Sequence, residues 1–190
     1  MAAWPAPTWG RLAAFAAVTR VLTLVAGIAL APREPGSHWT PDELATRNEI
    51  LAGPVPWLEP WVRFDAGYYL LIAREGYGDQ WPEPDAELAR RKAAFLPLLP
   101  WCIAAVGWTG MPPVLAAVLI PNVAFVIGLA CAGRVALRVY ADPRTVWLGC
   151  VVLASFPTAF YFSAPYQESL YLLAAAGGLL AWRHGRAGVT

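Results

Sequence analysis

The sequence predicts an all-α integral membrane protein, and three observations lead to that fold class. Hydrophobic residues make up 58% of the 190 residues and charged residues 14%, whereas soluble domains have about a half and about a quarter. Several apolar segments are long enough to cross a bilayer. The acidic residues are concentrated in one hydrophilic loop, since eleven of the thirteen lie between residues 33 and 92. We therefore expect about four transmembrane helices and one large loop.

Residues 12 to 31 form the first predicted span, because twenty mostly apolar residues at about 1.5 Å each match a hydrocarbon core of about 30 Å. A cleaved signal peptide is the alternative, since Ala29 and Ala31 form an A-x-A site before Pro32. Signal cores are shorter, about 7 to 15 residues, and rarely hold a central arginine such as Arg20, which favours the anchor. Arg20 must face protein or water, and either a structural partner or an anionic group would satisfy it.

Residues 32 to 112 are predicted to form an outer loop that carries interfacial helices. One helix is predicted to begin at Thr40, because Pro41 suits the first helical position and two acidic residues follow it. A second helix is predicted from about Trp61 to Glu75. On it Asp65 and Tyr69 share one side, and a second side is formed by Phe64, Tyr68, Leu71, Ile72 and Glu75. This amphipathic pattern is typical of a helix in the membrane interface.

Residues 93 to 108 are apolar but only 16 long, and they contain Pro97 and Pro100. Their length and their prolines predict a re-entrant hairpin within the outer loop rather than a crossing. The other predicted spans are residues 113 to 133, 145 to 163 and 168 to 182.

This topology satisfies the positive-inside rule. It places on the cytoplasmic side every basic residue outside the acidic loop and the first span, namely Arg11, Arg134, Arg138, Arg144, Arg183 and Arg186. It also places the acidic loop and the turn from Ser163 to Glu168 together on the outer face.

The sequence gives little support for a metal, a nucleotide or a nucleic acid as partner. Cys102, Cys131 and Cys150 lie in apolar runs without a CxxC pair, and His38 and His184 are the only histidines. No phosphate-binding glycine motif or hydrolase motif occurs. The net charge of +1 indicates no affinity for nucleic acid.

Two carboxylates are candidates for chemistry, because each lies among aromatic residues at a predicted membrane boundary. Asp65 lies in the second interfacial helix, and Glu168 lies at the outer entry of the last span. A partly desolvated carboxylate there can act as a base or accept a hydroxyl. Alternatively, both residues cap or stabilise helix N-termini. The nearby tyrosines fit an aromatic belt or ligand contact.

Three stretches in order resemble the motifs of the phosphatidylinositol-glycan class V mannosyltransferases, which are the GPI mannosyltransferase 2 family and its bacterial relatives among the GT-C glycosyltransferases. They are Trp61 to Tyr77 (WVRFDAGYYLLIAREGY), Ala94 to Pro100 (AFLPLLP) and Phe156 to Leu170 (FPTAFYFSAPYQESL). The resemblance runs from about Trp9 to Trp182 and covers the N-terminal part of such an enzyme. The family commonly has Trp-Asp-Gly where this chain has Phe64-Asp65-Ala66-Gly67.

The resemblance implies a membrane enzyme that transfers mannose from a polyprenyl-phosphate carrier to a glycolipid or glycoprotein acceptor on the non-cytoplasmic face. Asp65 matches the essential aspartate of the first outer loop, which implies that it accepts the proton of the attacking hydroxyl or orients that hydroxyl. The donor is a substrate, so no cofactor is implied. The re-entrant segment would lie beside the donor.

The resemblance also implies substrate-binding residues. Glu168, Tyr166 and Gln167 match the second outer motif and are expected to bind the acceptor or the mannose hydroxyls, and Tyr69 lies one turn after Asp65. The lipid-phosphate leaving group needs cations or donors. Candidates are Arg20, Arg63 and the run Arg90-Arg91-Lys92, although a charged run is usually a solvated face.

The length and composition add two expectations. The later spans of GT-C enzymes do not follow, which predicts a partial chain or, as an alternative function, a non-catalytic membrane scaffold derived from such an enzyme. A transporter is a third hypothesis, because Pro121-Asn122 and Arg20 resemble a broken helix and a buried charge. One lysine against thirteen arginines favours a high-GC bacterial source and its cell membrane over the endoplasmic reticulum.

The predicted topology can be tested by cysteine labelling in a variant whose three native cysteines are replaced by alanine. We expect a cysteine at position 138 to react with a membrane-impermeant maleimide only after the cells are opened, because Arg138 is predicted to be cytoplasmic. Glu87→Cys, in the acidic loop, is the control and should react in intact cells. Labelling of residue 138 from outside would overturn the four-span topology.

Overall fold

The chain is helical throughout the part that the computed structural model describes, which comprises residues 4–30, 55–78, 86–140 and 142–187. No strand occurs in these ranges, which confirms the all-α prediction for them. The α-helices are α1 (Trp9–Leu30), α2 (Ala66–Glu75), α3 (Ala86–Ala93), α4 (Leu98–Gly107), α5 (Pro113–Tyr140), α6 (Pro143–Ser155) and α7 (Glu168–Ala187). Two 3₁₀ helices, Pro56–Trp61 and Pro157–Phe162, precede α2 and follow α6. The helix predicted at Thr40 lies outside the described residues.

Helices α1 and α5 are the two described helices that are long and apolar enough to cross a membrane. Their 22 and 28 residues correspond to about 33 and 42 Å, against a hydrocarbon core of about 30 Å. Most of α1 is exposed, whereas most of α5 is enclosed by other residues. A signal sequence near the N-terminus or the core helix of a soluble protein meets the same criterion. The shorter apolar helices are α4, α6 and the first part of α7.

The third predicted span is not one continuous helix. Helix α6 ends at Ser155, and the 3₁₀ helix Pro157–Phe162 replaces the rest of the predicted segment. The reason is local, because the ring of Pro157 disfavours the helical conformation at the preceding residue. Phe156 is accordingly extended, with φ −57° and ψ 145°.

The helices divide between two compact units. Unit 1 comprises the chain up to Val25, residues 121–163 and residues from 167 onward. Unit 2 comprises residues 26–120 and 164–166. Helices α1 and α5 contribute residues to both units.

Unit 1 has an apolar core between the start of α1, the second half of α5 and α6. Its buried members are Leu12, Ala16, Phe125, Leu129, Ala130, Val146, Trp147, Cys150 and Ala154. The Trp147 ring meets Phe15 edge to face at 5.7 Å and donates its indole N–H to the Pro5 carbonyl at 2.9 Å. Such close packing needs small residues, and a Cβ on Gly128 would lie 3.0 Å from the Leu173 backbone.

The break between α6 and the 3₁₀ helix is closed by the side chain of Arg20. Its guanidinium donates to the carbonyl oxygens of Ala154 and Ala159, both at 2.7 Å, and to Ser163 Oγ at 3.1 Å. Ala154 lies before the break and Ala159 after it, so one side chain satisfies backbone acceptors on both sides. The guanidinium also lies 4.2 Å from the centroid of the Phe125 ring, a cation–π distance. Arg20 is only 2% exposed. These contacts engage both terminal nitrogens of the guanidinium, whereas its buried Nε–H has no hydrogen-bond partner in the described part of the chain.

Two further polar side chains hold the segment that follows the break. Asn122, next to Pro121 inside α5, donates from Nδ2 to the Ser163 carbonyl at 3.0 Å. Ser169 donates from Oγ to the Phe162 carbonyl at 2.8 Å. Ser163 and Ser169 are fully buried, so these bonds satisfy groups that water cannot reach.

Helix α6 begins with a strong N-cap at Asp142. Its carboxylate accepts from the backbone N–H groups of Arg144 and Thr145 at 3.2 and 3.0 Å, and from Thr145 Oγ1 at 2.6 Å. These bonds, chiefly those from Thr145, hold the pKa of Asp142 below its ordinary value. Pro143 occupies the first helical position, which suits its fixed φ.

Unit 2 is organised around the packing of α2 against α4. Four consecutive residues of α2 are buried, namely Tyr69, Leu70, Leu71 and Ile72. In α4 the buried residues are Leu99, Pro100 and Ile103. Trp61 packs against Gly27 so closely that a Cβ on this glycine would clash with the indole ring.

We expect Arg20→Met to lower the free energy of unfolding by roughly 3 kcal/mol, because it leaves two buried carbonyl oxygens without donors. Arg11→Met, on the exposed first turn of the same helix, is the matched control and should change it little. Chemical unfolding in detergent, followed by circular dichroism, measures both. Equal stability of the two variants would contradict the bridging role of Arg20.

Candidate functional site

The candidate site in unit 2 is the turn from Val62 to Asp65 that leads into α2. The sequence predicted a helix beginning near Trp61, but the regular helix begins only at Ala66. The interruption is at Phe64, whose φ of 52° lies in the left-handed region. That conformation costs a non-glycine residue roughly 1–2 kcal/mol. Such strain persists only where the surroundings fix the chain.

The residues around Phe64 supply that restraint. Val62 and Ala66 are buried, at 3% and 0% exposure, so the turn is anchored on both sides. The Ala66 N–H donates to the Arg63 carbonyl at 3.2 Å, and the Tyr68 N–H donates to the Asp65 carbonyl at 3.0 Å.

Asp65 occupies the N-cap position of α2 but does not cap it. Its backbone is helical, with φ −66° and ψ −15°, and its side chain accepts no capping hydrogen bond. Side-chain caps normally come from residues with extended backbone, so the helical backbone of Asp65 accounts for the missing cap. Asp65 is exposed, and no hydrogen bond or ion pair engages its carboxylate within the described ranges. It therefore retains its acceptor capacity.

An aromatic cluster joins the three stretches that carry the family resemblance. Tyr69 meets Phe95 edge to face at 5.1 Å and Tyr166 at 6.3 Å. Tyr68 stacks on Phe95 at 5.0 Å. Tyr69, Phe95 and Tyr166 belong to the first, second and third stretch respectively, so Tyr69 contacts a residue from each of the other two.

A hydrogen bond ties the third stretch directly to the Asp65 turn. The Tyr166 hydroxyl donates to the Arg63 carbonyl at 3.1 Å. The same carbonyl accepts the Ala66 N–H, so both of its lone pairs are used. Tyr166 is 9% exposed and acts in this structure as a support for the turn.

The predicted cations differ in their surroundings. Lys92 is 6% exposed, and its Nζ lies 3.3 Å from Glu75 Oε2 and 3.4 Å from the Gly76 carbonyl. Its charge is therefore balanced within unit 2. Arg91 is exposed and donates to the Tyr68 hydroxyl at 3.3 Å. Arg63 is half-buried, and it directly precedes the Phe64-Asp65 pair.

The end of α2 is fixed to the segment that leads into α4. The Tyr77 hydroxyl donates to the Phe95 carbonyl at 2.6 Å, and burial raises the pKa of Tyr77 above its ordinary value. Together with the Lys92 contacts, this bond holds Phe95 in place for its stacking on Tyr68.

The other predicted site residues belong to unit 1. Glu168 is the first residue of α7 and is exposed, and Gln167 is half-buried just before it. The Gln167 carbonyl accepts the Tyr171 N–H at 2.9 Å. Arg20 is enclosed by the carbonyl oxygens and the Phe125 ring described above. Of the two roles that the sequence left open for it, this geometry favours the structural one.

Phe64 and Phe95 belong to the site but were not among the predicted site residues. Phe95 carried a weak signal, because it lies in the second motif without a polar group of its own. The left-handed conformation of Phe64 has no sequence signal, since glycine or asparagine would be the residues expected there. Among the described residues, no group of three or more histidines, cysteines and acids is placed to hold a metal ion.

Comparisons with known proteins add no assignment to this geometry. No family model, no curated protein and no solved structure matches the chain.

We expect Tyr166→Phe to loosen the Asp65 turn without unfolding unit 2, because it removes one hydrogen bond worth about 1 kcal/mol. Hydrogen–deuterium exchange of the peptide that covers residues 62–68 should accelerate severalfold. Tyr171→Phe, which removes an exposed hydroxyl, is the control and should leave this exchange unchanged. Unchanged exchange in both variants would mean that the Tyr166 bond does not restrain the turn.

Proposed function

We propose that the chain is the N-terminal part of a membrane-embedded mannosyltransferase of the GT-C type. In this proposal it transfers mannose from polyprenyl-phosphate-mannose to a glycolipid or glycoprotein acceptor, on the non-cytoplasmic face of a bacterial cell membrane. The proposal starts from the resemblance of three sequence stretches to the phosphatidylinositol-glycan class V mannosyltransferases.

The observation that carries the proposal is the state of Asp65. It lies at a helix N-terminus, where an aspartate usually caps the helix, yet its carboxylate is exposed and is not used for capping. The alternative hypothesis from the sequence, that Asp65 is a local helix cap, is therefore disfavoured. A carboxylate on a restrained turn, with its lone pairs available, is suited to accept a hydrogen bond from a substrate hydroxyl.

The aromatic cluster supports the same proposal. If the three stretches resembled the family by chance, nothing would require them to meet. Tyr69 contacts Phe95 and Tyr166, and the Tyr166 hydroxyl holds the Arg63 carbonyl beside Asp65. The three motifs therefore meet at Tyr69, one helical turn after Asp65, and this meeting supports the role proposed for Asp65.

The chemistry follows from the charges that change during the transfer. The acceptor hydroxyl attacks the anomeric carbon, the bond from that carbon to the phosphate oxygen breaks, and the configuration inverts. Asp65 orients the hydroxyl and accepts its proton. The departing polyprenyl phosphate takes the electron pair of the broken bond and gains a second negative charge, which cations or hydrogen-bond donors stabilise without a general acid. Arg63 is the predicted cation in the Asp65 turn. Lys92 pairs with Glu75.

Helix lengths support the membrane arrangement in this proposal. The ten residues of α4 reach about 15 Å, half of a hydrocarbon core of about 30 Å, which suits a segment that enters the membrane and does not cross it. The thirteen residues of α6 reach about 20 Å, and the 3₁₀ helix that follows extends them. With α1 and α5 as full-length spans and α7 as the last, the chain crosses four times.

We expect Asp65→Asn to lower kcat for mannosyl transfer by about 100-fold or more, because the amide accepts no proton. Membranes that contain the full-length protein, of which this chain is the proposed N-terminal part, are incubated with radiolabelled polyprenyl-phosphate-mannose, and label in lipid and protein products is counted. Asp142→Asn is the matched control. It makes the same chemical change at another exposed helix N-terminus, where asparagine caps as well as aspartate.

The outcomes separate the hypotheses. Transfer by wild type and by Asp142→Asn, but not by Asp65→Asn, is the expected result. Equal transfer by wild type and Asp65→Asn would contradict the role of Asp65. A correctly inserted full-length wild-type protein that transfers no mannose would favour the non-catalytic scaffold.

A further inference from the structure

Phe64 is an exposed aromatic residue in a backbone conformation that its own side chain disfavours. Its φ is 52°, in the left-handed region, and 75% of its surface is exposed. Residues held in this region cluster at binding and active sites. Burial of the ring would explain the choice of phenylalanine at such a position, but most of the ring is not buried.

The turn explains why the conformation persists but not why the residue is aromatic. Val62 and Ala66 are buried on either side, and the Arg63 carbonyl is held by the Tyr166 hydroxyl. These contacts fix the backbone of the turn. None of them involves the Phe64 ring, so glycine or asparagine would serve the fold at least as well.

Phe64 and Asp65 together present an aromatic ring and a carboxylate on adjacent residues of one restrained turn. Both side chains are exposed. A hexose ring matches this pair, because its C–H face is apolar enough to pack on an aromatic face and its hydroxyl groups donate to carboxylates. An anion does not match it, since the Asp65 charge would repel it.

We propose that the Phe64 ring binds a hexose ring of the substrate beside Asp65. The inference rests on the proposed function, which already brings a sugar hydroxyl to Asp65, and it adds a binding surface for the sugar ring itself. Both substrates can carry a hexose: the donor always does, and a glycan acceptor also does. The contact is made with one of them.

Three replacements separate the possible roles of the ring. Phe64→Gly removes it and relieves the left-handed strain. Phe64→Leu keeps an apolar side chain without a flat face, and Phe64→Trp keeps the flat face. Trp108→Leu is the control, because Trp108 is 91% exposed and lies outside the proposed site. Each variant of the full-length chain is assayed for the KM of polyprenyl-phosphate-mannose, the KM of the acceptor and the melting temperature in detergent.

The expected result is a rise of about three- to tenfold in one of the two KM values for Phe64→Gly and Phe64→Leu, with wild-type values for Phe64→Trp and Trp108→Leu. Phe64→Gly should melt at the same temperature as the wild type or above it, since it relieves strain. If the ring served only to stabilise the fold, Phe64→Gly would have a lower melting temperature than the wild type. The substrate whose KM rises is the one that carries the bound hexose.

Three results would overturn the inference. Wild-type KM values in Phe64→Gly and Phe64→Leu would show that no sugar contacts the ring. Wild-type KM values in Phe64→Leu, together with a raised KM in Phe64→Gly, would identify a lipid contact, which any apolar side chain satisfies. A lower melting temperature in Phe64→Gly would assign the ring to the fold. If the full-length wild-type protein transfers no mannose, the proposed function fails and this inference fails with it. If the wild type is active and the Phe64 variants keep its KM values, only the inference fails.

Discussion

The buried guanidinium of Arg20 is the interaction on which the helix break in unit 1 depends. Pro157 ends α6 and leaves backbone carbonyl oxygens without helical donors. An arginine in the middle of an apolar helix is equally unfavourable alone, because its charge loses water. The two features offset each other, since the arginine donates to Ala154 and Ala159 on the two sides of the break.

The geometry also explains why this residue is arginine. The planar guanidinium carries five donors in a fixed arrangement. It reaches two carbonyl oxygens at 2.7 Å and Ser163 Oγ at 3.1 Å, while its face lies over the Phe125 ring. A lysine ammonium is a point charge and has no flat face to place on the ring. The same residue therefore fixes α1, the Phe125 side of α5 and the 3₁₀ helix Pro157–Phe162.

Sequence reasoning found the elements whose signals are local and additive. The apolar runs of α1 and α5 predicted long helices, whereas residues 93 to 108 were predicted as a re-entrant hairpin and contain the short helix α4. It failed where one residue decides a boundary. The third span was predicted as continuous because nearly every residue from 145 to 163 is apolar or small, and composition does not register that Pro157 forces Phe156 out of the helix.

The candidate site was predictable to a similar extent. Asp65 and Tyr166 were predicted as site residues from their motif positions, and the Tyr166 hydroxyl donates to the carbonyl of Arg63, two residues before Asp65. The break at Phe64 was missed, because the helical pattern from Trp61 onward gives no indication of a left-handed residue. That break also changes which residues share a face. Leu71 and Ile72 were grouped with Phe64, yet they are buried while Phe64 is exposed.

Arg20 and Asp65 looked alike in the sequence, as single charges in apolar or aromatic surroundings, and the structure separates them by their local partners. The two terminal nitrogens of Arg20 donate to backbone oxygens and to a serine, so using them to bind a substrate phosphate would require breaking the helix closure. The carboxylate of Asp65 accepts no hydrogen bond in the described part of the chain, although the residue occupies the N-cap position of α2. A side-chain cap would stabilise the helix. Asp65 forms no such cap, and it directly follows the strained residue Phe64. A strained backbone and a missing helix cap on adjacent residues, with no gain in packing, are expected at a ligand-binding site, where function can outweigh stability. On that ground we propose the Phe64-Asp65 turn, rather than the buried arginine, as the place where a substrate binds.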